Sequence, residues 1–187
     1  MNASQKKILA IVGMPGAGKS EVIRYLKKKG IPSVRFGEIT DNALQAQGLP
    51  LTQEHEKVFR EQLRKELGMA AYAIKARPKI DVLLEKYTSV AIDGLYSWEE
   101  YVFLNDTFAG LKLIHIFAEP SVRYRRLSKR AVRPLSTKDG RMRDVAELEG
   151  LNKGGPIAIA DYMIDNSGTL VELYAKLSIL LSRLDRA

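Results

Sequence analysis

The stretch "GMPGAGKS", residues 13–20, follows the apolar run "ILAIV" at residues 8–12 and precedes a segment of helical character. Its spacing is Gly-x-x-x-x-Gly-Lys-Ser. The glycines let successive backbone N–H groups point into a concave anion site. The N-terminus of the following helix adds unpaired N–H groups and partial positive charge. The stretch therefore predicts a phosphate-binding loop between a strand and a helix, which is the P-loop pattern.

The side chains that close this loop predict the ligands. We expect Lys19 to reach the outer phosphates of a nucleotide and the Ser20 hydroxyl to ligate Mg²⁺. ATP and Mg²⁺ are therefore the predicted cofactors. The nucleotide-binding residues expected from the loop and the start of the helix are Gly13, Met14, Pro15, Gly16, Ala17, Gly18, Lys19, Ser20 and Glu21.

Short apolar runs recur with helical segments between them, which is typical of a parallel sheet covered on both faces. The predicted strands are 8–12, 33–36, 89–93, 111–117 and 162–165, and the predicted helices are 19–29, 52–77, 79–86, 97–105, 121–132 and 169 to the C-terminus. Pro78 is expected to separate the second helix from the third. Capping boxes at Ser97 and Thr169 support two of the boundaries. We expect an α/β fold with a five-stranded parallel sheet, in one domain over residues 1–187.

Composition limits the class of protein. The chain contains no cysteine, which excludes disulfides and thiolate metal sites and favours a cytoplasmic location. Its apolar runs are far shorter than the ~18 residues of a membrane span, so no membrane partner and no targeting segment are expected. The oligomeric state stays open.

The net charge of +8 is concentrated in one part of the chain. Between Arg123 and Arg143 there are nine Lys or Arg residues and one acid, Asp139. A local basic segment suits a polyphosphate ligand or a nucleic-acid backbone. Residues 133–155 also contain several glycines and lack a helical period, so we predict a mobile basic lid over about 130–155.

Several charged side chains are candidates for the chemistry. Asp93 ends an apolar run, and a carboxylate at the tip of a parallel strand is placed to hold Mg²⁺ through water. The residues Arg123, Arg126, Arg130 and Arg133 are spaced 3, 4 and 3 apart, which predicts one helix face. Guanidinium groups stabilise a phosphoryl group in transfer, so Arg126 and Arg130 are the predicted catalytic cations.

The acceptor side of the reaction is less defined. Glu38 and Asp41 follow the second predicted strand, and either carboxylate is a candidate general base for a hydroxyl group. Arg60 and Arg64 are four residues apart on a predicted helix and are candidates for binding an acceptor phosphate. The acidic residues around them indicate a salt-bridged surface instead, and the sequence leaves both interpretations open.

The loop 13–20, Asp93, the segment "RYRRLSKR" at 123–130 and the ending "ADYMIDNSGTLVEL" at 160–173 together resemble the nucleoside monophosphate kinase branch of P-loop kinases. The similarity covers nearly the whole chain and extends to archaeal-type uncharacterised proteins described as adenylate-kinase-related. The stretch 160–173 is similar to dephospho-coenzyme A kinases. The resemblance implies a P-loop NTPase fold, an acceptor-binding region near 36–75, a lid near 130–155 and an adenine edge contacted by Asn166 and Gly168.

The sequence departs from the resemblance at two positions. Asp41 and Tyr96 stand where relatives of this group carry arginine. The predicted function is ATP- and Mg²⁺-dependent phosphoryl transfer to a small-molecule acceptor, such as a nucleoside monophosphate or a dephospho-coenzyme A-like compound. One alternative is an ATP-binding regulatory switch or slow ATPase without a metabolite acceptor. Another is nucleic-acid binding through residues 123–143.

Overall fold

A single parallel sheet organises the chain, in a computed structural model that describes residues 6–186. Its strands are β1 Lys7–Val12, β2 Ser33–Arg35, β3 Ser89–Asp93, β4 Leu111–Phe117 and β5 Tyr162–Asp165. The helices described are α1 Lys19–Lys28, α2 Gly37–Ala46, α3 Gln53–Leu67, α4 Ala71–Lys86, α5 Trp98–Thr107, α6 Pro120–Ser128, α7 Thr137–Leu151, α8 Gly154–Ala158 and α9 Leu170–Leu184. Within this range no helix has the length and apolar character needed to cross a membrane.

The order of the strands is β2-β3-β1-β4-β5, which confirms the predicted five-stranded parallel α/β sheet. β1 is central and pairs with β3 on one side and β4 on the other. The register places Ile11 opposite Asp93, so the end of β3 lies beside the start of the P-loop. Ligands of parallel sheets bind outside the carboxyl ends of the strands, and this edge therefore positions the site.

Alternating residues of β1 build two cores, one on each face of the sheet. Ile8, Ala10 and Val12 pack with buried residues of α3, α4 and α5. Leu9 and Ile11 pack with buried residues of α1 and α9. A strand buried on both faces is an unbroken apolar run, as residues 8–12 are.

The predicted helix 52–77 is interrupted, but not by Pro78 as the sequence analysis expected. The break falls at Gly68, which has a φ of 76° and ends α3. Pro78 lies inside α4, where Ala76 and Ile80 are buried. Packing of this face against the sheet outweighs the one helix hydrogen bond that proline cannot donate. A further helix, α2, was not predicted; it buries only Thr40 and Leu44.

Residues 137–151 form helix α7 and residues 154–158 form α8, although the sequence shows no helical period over 133–155, and the lid over 130–155 stays a prediction. The Ser136 side chain caps α7 by accepting a hydrogen bond of 3.1 Å from the Asp139 amide. The buried residues of α7 include Asp144 and Glu147. A helix that buries charged rather than apolar side chains has no hydrophobic period, so the pattern could not reveal it.

Candidate functional site

The P-loop connects the carboxyl end of β1 to the first turn of α1, as its spacing predicts. Gly13 has a φ of 142°, and a side chain on it would collide with the carbonyl oxygen of Ile116 in β4. Gly18 has a φ of 99° and caps α1. These positions need glycine because the loop lies directly against backbone and because left-handed φ values are costly for other residues.

Lys19 folds back onto its own loop. Its Nζ atom donates hydrogen bonds of 2.7 Å to the carbonyl of Gly13 and 3.2 Å to that of Met14. Burial, together with the positive charge of Lys153, lowers the pKa of Lys19 to about 7. The carboxylates of Glu147 and Asp93 raise the pKa of Lys19, but their effect is smaller than that of burial and Lys153. A nearby anion would therefore stabilise the charged form of Lys19 strongly.

This shifted pKa predicts that binding of a polyphosphate is coupled to proton uptake. A bound phosphate raises the pKa of Lys19, so protons are taken up near and above pH 7, and affinity falls as the pH rises above about 7. Calorimetric titration with ATP at pH 8, in two buffers of different ionisation enthalpy, measures the uptake. Lys19→Met should remove most of it. Equal proton uptake by wild type and variant would contradict the assignment to Lys19.

A cavity of about 650 Å³, the P-loop cavity, opens over this loop. It is lined by these residues of the predicted site: Pro15, Gly16, Gly18, Lys19, Ser20, Glu21, Asp93, Arg126, Arg130, Asn166 and Gly168. The other predicted loop residues, Gly13, Met14 and Ala17, contribute carbonyl groups beneath it. The first two bind Lys19, and that of Ala17 accepts a hydrogen bond of 2.7 Å from the Asn166 side chain.

Asp93 ends β3 at the floor of the P-loop cavity, which Ser20 also lines. Burial raises the pKa of Asp93, whereas the charge of Lys19 lowers it. Among residues 6–186, no three His, Cys, Asp or Glu side chains are grouped closely enough to hold a metal ion by themselves. One carboxylate and one hydroxyl suit Mg²⁺, which typically takes its remaining ligands from water and phosphate.

The four arginines predicted to share one helix face do not do so. Arg123 is 6% exposed and forms a paired contact with Asp144, with its Nη atoms 3.0 and 2.7 Å from the two carboxylate oxygens. Arg133 lies beyond the end of α6 and pairs with Glu56 at 2.9 Å. Arg126 and Arg130 line the P-loop cavity. The spacing failed because α6 ends at Ser128 and because Arg123 is a buried structural residue.

Two polar groups in the P-loop cavity have no hydrogen-bond partner among the described residues. Arg126 donates to the carbonyl of Gly168 at 3.2 Å through Nη2, while its Nη1 atom is buried and unpaired. Asn166 is 3% exposed, and its Oδ1 atom is likewise buried and unpaired. Buried polar groups are normally satisfied, so an ordered water or a polar ligand is expected at these two atoms.

The structure adds site residues that the sequence analysis missed. Arg35, Tyr96, Arg143, Glu147 and Lys153 also line the P-loop cavity. Lys153 is 1% exposed, contacts the Glu147 carboxylate and lies with Nζ 4.6 Å from the centre of the Tyr96 ring. Burial lowers the pKa of Lys153, although Glu147 opposes that shift. The i,i+4 spacing of Arg143 and Glu147 was the one available signal, because such pairs mark a helix.

The two predicted general bases lie outside the P-loop cavity. Glu38 contacts Lys79 at 2.7 Å. Asp41 pairs with Arg35 and lines a second cavity, of about 930 Å³. This second cavity extends between α2, α3 and α7, and it shares Arg35, Gly37, Tyr96, Arg143 and Glu147 with the P-loop cavity. Two compartments therefore meet at one wall beside the P-loop.

The basic segment 123–143 is divided between different environments. Arg123 is buried against Asp144, Arg133 contacts Glu56, and Arg126, Arg130 and Arg143 line the P-loop cavity. A nucleic-acid backbone is bound by a continuous exposed surface of positive charge. Arg126, Arg130 and Arg143 direct positive charge toward the P-loop, and the other basic residues of the segment, Arg125, Lys129, Lys138 and Arg141, are exposed.

Comparisons with known proteins agree with this architecture. The family model described as an AAA domain matches residues 9–145. A protein of Thermococcus sibiricus described as "UPF0200 protein" is 38% identical over 181 residues, which are 95% of each chain. A "UPF0200 protein" of Hyperthermus butylicus is 31% identical over 186 residues, which are 98% of each chain.

Solved structures share the fold at low sequence identity. TT1252 from Thermus thermophilus has a TM-score of 0.66 at 19% identity, covering 96% of this chain and 98% of its own. A shikimate kinase from Bacteroides thetaiotaomicron has a TM-score of 0.61 at 16% identity, covering 94% and 98%. A dephospho-CoA kinase from Campylobacter jejuni has a TM-score of 0.59 at 13% identity, covering 97% and 99%.

The parallel sheet and the loop at the end of β1 define a P-loop protein of the α/β class, and its fold is shared with the solved kinases above. Within that class, the extent and identity of the archaeal matches place the chain more closely. It belongs to the UPF0200 family, and its residues 9–145 belong to the AAA domain family.

Proposed function

We propose that this protein is an ATP-dependent kinase that phosphorylates a hydroxyl group of a small molecule. The observation that carries the proposal is the meeting of the P-loop cavity and the second cavity at a wall of five shared residues. A nucleotide in the first would present its terminal phosphate to an acceptor in the second. A nucleotide-binding switch or a simple ATPase has no need of the second compartment. The neighbouring solved structures named as kinases support the proposal at the level of fold.

The arrangement of charge suits phosphoryl transfer, in which catalysis is mostly positioning and electrostatic stabilisation. Lys19 and the loop amides would bind the outer phosphates. Arg126 approaches the same space from α6 and Arg130 from the segment just after it, and Arg143 and Lys153 approach it from α7 and the turn that follows. Ser20 and Asp93 would hold Mg²⁺, which would neutralise phosphate charge.

The unpaired groups at Arg126 and Asn166 suit the remainder of the nucleotide. Asn166 and Gly168 follow β5, where the resemblance implies an adenine edge. Among the carboxylates, Glu147 lines both cavities, whereas Asp41 lines only the second. Against the effect of burial, Lys153 and Arg143 hold the pKa of Glu147 below its usual value, so we propose Glu147, ahead of Glu38 and Asp41, as the carboxylate that orients the acceptor hydroxyl.

The test is release of ADP from ATP and Mg²⁺ with one candidate acceptor at a time. The panel contains the nucleoside monophosphates, dephospho-coenzyme A, shikimate and gluconate, and Lys19→Met purified in parallel excludes contaminating kinases. We expect one class of acceptor to stimulate ADP release and to appear as a phosphorylated product by mass spectrometry. ATP turnover that no acceptor stimulates would overturn the kinase proposal in favour of a switch or slow ATPase.

A further inference from the structure

The second cavity contains one basic side chain that differs from the others lining it. Five of its basic residues have a carboxylate within 4.0 Å: Arg35 with Asp41, Lys57 with Glu61, Arg60 and Arg133 with Glu56, and Arg143 with Glu147. Arg64 has no such partner among residues 6–186. Carboxylates of the chain therefore pair with five of the six basic side chains that line the second cavity, and within residues 6–186 Arg64 is the exception.

The Arg64 side chain is held in a defined position. Its guanidinium carbon lies 5.6 Å from the centre of the Tyr72 ring, and the Tyr72 hydroxyl is 2.7 Å from that of Thr40. The preceding residue, Leu63, is 5% exposed and anchors α3 in the core. A cation stacked on a fixed ring loses little side-chain freedom when it binds a ligand.

Arg64 also has hydrogen-bonding capacity that the chain does not use. Its Nε atom is buried and has no partner among the described residues. Burial raises the pKa of a neighbouring acid, Glu100, to about 7, and its Oε2 atom already accepts hydrogen bonds from the amides of Tyr96 and Ser97. The charge of Arg64 lowers the pKa of Glu100, whose Oε1 atom is also buried and unpaired, but the two side chains form no salt bridge among residues 6–186. Water can satisfy such a donor, but an anionic acceptor atom binds a cationic donor more strongly, and Arg64 has no carboxylate partner among the described residues.

We propose that Arg64 binds an anionic group, a phosphate or a carboxylate, on the molecule that occupies the second cavity. Arg60, one turn earlier on α3, lines the same cavity but is paired with Glu56 at 3.4 Å, so Arg64 is the donor that the proposal rests on. Glu56 keeps its closer contact, at 2.9 Å, with Arg133. Neither Arg60 nor Arg64 lines the P-loop cavity, so this anion is distinct from the phosphates of the nucleotide.

This inference rests on the proposed function only in calling that molecule the acceptor. When the anionic group is bound at Arg64, the hydroxyl group that is phosphorylated can lie at the wall shared with the P-loop cavity. The acceptor would then carry an anionic group and a hydroxyl at separate ends. An anion site at Arg64 also explains how the chain could bind an anionic acceptor with Asp41 and Tyr96 at positions where arginine was expected. Helix α3 would then supply the cation instead.

Nuclear magnetic resonance tests the anion site without any assay of catalysis. The Nε–Hε signal of Arg64 in ¹⁵N-labelled protein is assigned by its loss in Arg64→Lys. It is then followed during titration with inorganic phosphate or acetate, with chloride holding the ionic strength constant. The measurement is made with and without a non-hydrolysable ATP analogue and Mg²⁺, so that the P-loop is occupied in one series.

A saturable shift with phosphate supports a phosphate-bearing ligand, and a shift with acetate alone supports a carboxylate. A signal that moves with neither anion overturns the inference, whatever the kinase assay gives. Conversely, a clear shift without acceptor-stimulated ADP release leaves the anion site intact and rejects the kinase proposal. The exposed Lys65→Gln, on the same helix, should leave the titration unchanged.

Kinetics with an acceptor from the panel provides the second readout. Arg64→Gln should raise KM for an anionic acceptor by about 10- to 100-fold, the range expected for hydrogen bonds to a charged group. The KM for ATP should stay unchanged, because Arg64 does not line the P-loop cavity. Arg64→Lys should recover part of the loss, and Lys65→Gln should have no effect. Equal KM values for Arg64→Gln and wild type would contradict the assignment.

Discussion

Replacing Lys19 with methionine is expected to lower ATP turnover by about 10²- to 10³-fold, the typical cost of one electrostatic contact to the transition state. The same change should not lower the free energy of unfolding. Burial holds the pKa of Lys19 near 7, so the folded protein stabilises its charge poorly in the absence of phosphate. Methionine has a similar length and no charge to desolvate. Loss of activity without loss of stability is the outcome expected of a residue placed for its ligand.

Steady-state ADP release and urea unfolding, measured on the same preparations, test this expectation. Lys28→Met is the matched control, because Lys28 is an exposed lysine in the last turn of the same helix. It should change neither quantity. Turnover by Lys19→Met equal to that of wild type would refute the P-loop mechanism. A large loss of stability would instead show that Lys19 serves the fold.

Replacing Asp144 with alanine should destabilise the protein by about 3–5 kcal/mol, because it leaves the charge of Arg123 buried without a partner. Arg123 is 6% exposed, and Asp144 is 7% exposed. The loss should appear as a fall of roughly 2–4 °C in Tm for each kcal/mol in a chain of this size. The Arg123 Nη1 atom also donates to the carbonyl of Pro15 at 3.0 Å, so the pair joins α7 to the P-loop.

Thermal and urea unfolding of three further variants separate the explanations. Glu149→Ala, an exposed change on α7, should be nearly neutral. The double variant Arg123→Met with Asp144→Leu should be less destabilised than Asp144→Ala, because no buried charge is left unpaired. Tyr124→Phe should cost less than Asp144→Ala, since it removes only a hydrogen bond of 2.9 Å to Asp144. If Asp144→Ala unfolds like wild type, the contact is not a structural one.

Elements with a strong local signal were predicted from the sequence. The apolar runs ending at Val12, Asp93 and Phe117 became β1, β3 and β4, because strands buried on both faces are continuous apolar runs. The capping boxes at Ser97 and Thr169 mark the starts of α5 and α9, because capping depends on residues only three positions apart.

Elements stabilised by distant residues were not predicted. Helix α7 has no hydrophobic period, and its buried face is made of charges that find partners in Arg123 on α6 and in Lys153. The role of Arg123 was predicted incorrectly for the same reason, because a distant residue determines it. Its spacing matched a phosphate-binding face, but Asp144, 21 residues away, makes it part of the structure.

The sequence by itself determined the P-loop, the parallel sheet and the edge of that sheet where ligands bind, because these depend on short-range spacing and continuous apolar runs. The tertiary structure decided which charged side chains are satisfied within the chain and which are left for a ligand. Arg123 and Arg133 pair with carboxylates, whereas Arg64 has no carboxylate partner within residues 6–186. Partners far apart in sequence are chosen by packing, and no local pattern records that choice.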